Sequence, residues 1–83
     1  MAVYVLLLKE YEYEDKVIYK YGPSEEVTGK IEYNKKSNKF VELESIKQEN
    51  ISNEFFFKRA AQKLAVIIVK EKGVFPERTS IEA

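Results

Sequence analysis

Four acidic side chains fall close together, Glu10, Glu12, Glu14 and Asp15, and this is the densest group in the chain that could do chemistry. Carboxylates at this density can hold a hard cation or act as an acid–base pair. Their spacing argues against both. Glu10, Glu12 and Glu14 alternate with Tyr11 and Tyr13, the period of a strand with one solvated face. Nothing nearby supplies the roughly six or more oxygens of an organised calcium loop, so no metal is expected. The chain has no cysteine and no histidine. That removes thiolate nucleophiles, disulfides, Cys/His zinc sites and the usual general base near neutral pH. Gly22, Gly29 and Gly73 are isolated, so no glycine loop cradles phosphate, and no serine sits in a nucleophile-elbow context. No catalytic residue and no cofactor is expected, and the chain does not read as an enzyme.

The cations are the next candidates. Lys58, Arg59 and Lys63 could touch phosphates, and six tyrosines and five phenylalanines could stack on bases. Against a nucleic-acid partner, the 14 basic and 14 acidic side chains cancel, whereas such binding usually demands a basic excess. The RNA-recognition signature is also absent, and aromatics are common in strands. Nucleic-acid binding is kept only as the alternative to a protein contact.

The elements that position these residues are legible from periodicity. The segment from Ala2 to Leu8 is apolar for seven residues, far short of the ~20 of a membrane helix, and reads as a strand. Strands are expected over about 2–13, 17–21, 27–34 and 39–45, with breakers at Asp15-Lys16, Gly22-Pro23-Ser24 and Lys35-Lys36-Ser37-Asn38. Within them Tyr11 and Tyr13 are expected opposite Glu10 and Glu12, and Val41 and Leu43 inward with Glu42 and Glu44 outward. Gly29 falls on an inward face, which predicts a bulky neighbour over it, such as a helix aromatic, or a bulge. A helix is expected over about 53–72. Ser52 or Asn53 caps it, Ile51 staples against Phe56, and Gly73 and Pro76 stop it. Residues 73–83 are expected to form a tail in which Phe75-Pro76 folds back on the body and Glu77 to Ala83 fray.

On a helical wheel, Phe56, Phe57, Ala60, Ala61, Leu64, Ile67 and Ile68 share one arc, which must face the sheet. Phe55, Gln62, Val66 and Val69 fall on the other side, flanked by Lys58, Arg59, Lys63 and Lys70. This second stripe is the candidate protein contact, too short for a coiled coil but long enough for a helix–helix patch. The sheet poses the same question. Its second face would carry Tyr4, Leu6 and Leu8 or Val3, Val5 and Leu7, which the C-terminal tail could cover in part or a second chain could cover.

The expectation is therefore an α+β domain spanning 1–83: an antiparallel meander of three to four strands packed on one long C-terminal helix. Its role is a non-catalytic interaction module, a homodimer or bound to another protein, with no membrane partner. The lack of cysteine in so small a domain favours a reducing compartment, the cytoplasm. In the order of Lys9-Glu10-Tyr11, Val17-Ile18-Tyr19, Tyr21-Gly22-Pro23, Gly29-Lys30-Ile31-Glu32-Tyr33, Arg59-Ala60-Ala61-Gln62-Lys63-Leu64 and Phe75-Pro76-Glu77, the chain resembles a group of short uncharacterised bacterial proteins. That resemblance implies a fold of strands followed by one helix. It implies no function and no site residue.

Overall fold

The four β-rich segments become β1 (Tyr4–Glu12), β2 (Lys16–Gly22), β3 (Gly29–Asn34) and β4 (Lys39–Glu44), followed by α1 (Asn53–Lys70) and β5 (Arg78–Glu82). The computed structural model describes residues 4–26, 28–47, 52–70, 72 and 74–82. All pairings are antiparallel, in the order β4-β3-β2-β1-β5. The chain runs as a meander, crosses one face as α1 and returns on the far side of β1.

Two expectations need correction here. Among the described residues the sheet has five strands, because 78–82 is an edge strand and not a frayed tail. The helix is shorter than expected and ends at Lys70. The crossover into β5 is tied down by polar contacts: Tyr19 Oη donates to the Pro76 carbonyl at 2.5 Å, Lys9 Nζ to that of Phe75 at 3.1 Å, and the Lys9 amide to that of Glu77 at 2.7 Å.

Alternation decides which side chains meet the helix. Val5, Leu7, Val17, Tyr19, Tyr21, Ile31 and Tyr33 point to one face and are buried with Phe56, Ala60, Leu64 and Ile67 of α1. Ile46 and Phe75 join the same cluster. The helix arc is as expected. Its start is capped by Ser52, whose Oγ accepts the Phe55 amide at 3.2 Å. The Ile51 staple and the left-handed cap at Gly73 lie outside the described residues; Lys72 takes a left-handed conformation, with φ 53°.

The expected facing is overturned in two strands, by a bulge in β1 and by the hairpin register in β4. The β1–β2 register shifts between Lys9 and Tyr11. The extra residue leaves Glu10 and Tyr11 on the open face and turns Glu12, opposite Val17, toward the helix side. The β3–β4 register shifts between Lys30 and Ile31. There Phe40, opposite Tyr33, and Glu42, opposite Ile31, face the helix, while Val41 and Leu43 are exposed.

Asn53 locks the helix start to the sheet. Its Oδ1 accepts Tyr21 Oη at 2.7 Å and the Ile46 amide at 2.8 Å, and its Nδ2 donates to Glu42 at 2.6 Å. Burial pushes the Tyr21 phenol up to about 12, with the Glu42 charge adding to it. The unfolded phenol ionises near pH 10, so this contribution is complete below pH 10. It is lost as pH rises through about 12. Tyr21→Phe should therefore flatten the loss of stability between these two pH values by an amount on the order of 2 kcal/mol. Urea titrations of both proteins across that range check this; parallel curves would contradict it.

Candidate interaction surface

The acidic cluster does not assemble. Because of the β1 bulge, Glu10 and Glu12 serve opposite faces. Glu10 lies between Lys30 at 3.1 Å and Lys20 at 3.5 Å, and Glu12 between Lys9 and Lys35, both at 2.9 Å. Burial alone would raise the Glu10 carboxyl, but the hydrogen bonds and charges of Lys30 and Lys20 outweigh it and hold it below the usual range. The hydrogen bonds from Lys9 and then Lys35 do the same for Glu12. Among the described residues no group of three carboxylates converges on a metal position.

The open sheet face is a charge network with apolar margins. Lys16 and Glu32 approach at 3.8 Å beside the Glu10–Lys20–Lys30 set. Leu6 is buried outside the helix-side cluster, and Leu8 is half-buried. Tyr11 and Tyr13 stack on each other with centroids 6.1 Å apart and remain about half exposed. The lysines needed to hold phosphates beside these rings are engaged with glutamates.

On α1 the expected contact residues separate. Phe55 packs against the core rather than standing free, edge-on to Phe56 at 5.6 Å and under Arg59 at 5.2 Å. Gln62 is exposed and accepts from Arg59 at 3.1 Å. Val66 is 44% exposed and Val69 79%. Of the alternative phosphate contacts, Lys58 pairs with Glu54 at 3.0 Å and Arg59 is engaged as above, which leaves Lys63.

Lys63 leads to a feature that periodicity did not reveal. Lys63, Val66, Ile67 and Lys70 of α1, with Pro76, Arg78 and Thr79, line a groove of about 440 Å³ between the helix and β5. Lys63 and Lys70 have no ion partner among the described residues, while Arg78 is held by Glu25. Pro76, Arg78 and Thr79 were missed because 73–83 reads as a tail. The available signal was Thr79 and Ile81, β-branched residues two apart just after a proline stop. Among the described residues no helix is long and apolar enough to cross a membrane. No family model, no curated protein and no solved structure matches this chain.

Proposed function

We propose that this protein is a non-catalytic interaction module that self-associates through the side formed by α1 and β5. The carrying observation is what lies exposed there. Val66 and Val69 stand out from the helix, and Val66 lines the groove beside the β5 edge. Apolar side chains gathered next to unpaired strand backbone are what a partner chain removes from water. A cytoplasmic setting fits the absence of cysteine. The nucleic-acid alternative is the weaker reading, because Lys58 and Arg59 are already engaged within the helix.

Sedimentation velocity at high micromolar concentration tests the proposal. The wild-type protein is expected at dimer mass, and Val66→Glu is expected to shift the population toward monomer without lowering the melting temperature of the isolated chain. A strict monomer would overturn self-association. An unchanged dimer in Val66→Glu would remove Val66 from the interface.

A further inference from the structure

The sheet ends in two edges, and only one is built for pairing. β4 is interrupted by the Lys30/Ile31 register shift, and its Glu44 carbonyl is turned toward Tyr21 Oη at 3.5 Å. Bulges and charges of this kind blunt an edge. β5 pairs with β1 without any shift from Glu82 to Arg78, so its outer edge is straight. No strand lies beyond it among the described residues.

The backbone phase of β5 follows from one hydrogen bond. The Lys9 amide donates to the Glu77 carbonyl at 2.7 Å, on the same antiparallel register that pairs Leu8 with Arg78. Lys9 and Glu77 are thus a hydrogen-bonded pair, and such pairs alternate along an antiparallel ladder. Thr79 and Ile81 therefore turn their amides and carbonyls toward β1. Arg78, Ser80 and Glu82 turn theirs outward.

From this phase we infer that two copies of the chain join edge to edge through β5, antiparallel, on a two-fold axis at Ser80. The inference rests on the self-association proposed above and names its geometry. Antiparallel pairing needs outward-facing groups on both strands, and this register supplies them: Ser80 opposite Ser80 of the second copy, and Arg78 opposite Glu82. The sequence Arg-Thr-Ser-Ile-Glu is self-complementary about its centre. It sets a basic position opposite an acidic one and Thr79 opposite Ile81, both favourable cross-strand pairs. The axis stands normal to the sheet, so both helices lie on one face, and the Val66 sides of the two grooves face each other across it.

A unique thiol tests the register directly, since the chain has no cysteine. Hydrogen-bonded partners lie about 5.5 Å apart at Cα, within disulfide reach. Ser80→Cys should oxidise to a covalent dimer. Arg78→Cys should not, because its two copies sit about 14 Å apart along the strands. Ser80→Pro removes an outward amide that β1 does not use, so the chain should fold while association weakens roughly tenfold or more. Thr79→Pro removes an inward amide and should destabilise the monomer instead. Should Ser80→Pro fail to fold, Ser80→Lys, which sets like charges opposite each other, provides the same test. A wild-type dimer that neither crosslinks through position 80 nor responds to these substitutions overturns the β5 interface and leaves self-association standing. A strictly monomeric wild type overturns both.

Discussion

Leu64→Ala is expected to lower the stability of this chain by about 2–5 kcal/mol, a large share of what a domain this small possesses. Leu64 is fully buried and belongs to one cluster with Ala60 and Ile67 of its own helix and with Val5, Leu7, Tyr19 and Ile31 of the sheet. Truncation removes methyl groups from the middle of that layer. The backbone is poorly able to collapse there, since α1 is fixed at its start by Asn53, and the chain after it by Tyr19 and Lys9. The melting temperature should fall by about 10 °C or more. Val69→Ala, on the same helix but 79% exposed, should leave it nearly unmoved. Equal shifts for the two substitutions would mean that the helix is rotated from the orientation described.

That contrast explains how much of the fold was legible. A helical period is robust: one arc of seven residues and one capping serine identified the buried side of α1 without knowledge of the sheet. Strand facing is fragile, because a single inserted residue reverses every side chain beyond it. Glu10 is such an insertion in β1, and nothing in Lys9-Glu10-Tyr11 announces it. Val41 faces outward for another reason: the hairpin pairs Phe40 with the inward Tyr33, which sets Val41 opposite the outward Glu32, and Leu43 is itself the extra residue of the β4 bulge. β5 was illegible for a different reason. Its five residues include one large apolar side chain, and it is a strand because the apolar β1 offers it a free edge.

The candidate surface was half legible for related reasons. Val66 and Val69 were read from the wheel and are exposed. Phe55 occupies the same side of the wheel but sits in the first turn, where Phe56 and Arg59 cover its ring. A wheel has no ends and cannot show this. The edge strand beside Val66 depends on the return of the chain after Pro76, a long-range event with no local signature.

Gly29→Ala is the substitution in which a simple propensity argument should give the wrong sign. A glycine in a strand weakens it, so alanine at an unconstrained site would stabilise by roughly 0.5–1 kcal/mol. Here an added Cβ would lie 2.5 Å from the Glu44 carbonyl oxygen and 2.8 Å from both Cζ and Oη of Tyr21. The covering aromatic is thus the cross-strand partner of Gly29, Tyr21, with Phe57 edge-on to it at 5.9 Å, and not a helix ring directly. Neither neighbour yields easily. Glu44 O is strand backbone, and Tyr21 Oη is held by Asn53, which also secures Ile46 and Glu42. Alanine is therefore expected to destabilise by about 1–3 kcal/mol, through β4 and the helix start together. A double-mutant cycle with Tyr21→Phe identifies the mechanism, because removing Oη relieves one of the close contacts. The two effects should be less than additive, by about 0.5 kcal/mol or more in chemical denaturation. Strict additivity, or a more stable Gly29→Ala protein, would show that Gly29 is not held between Tyr21 and the β4 backbone.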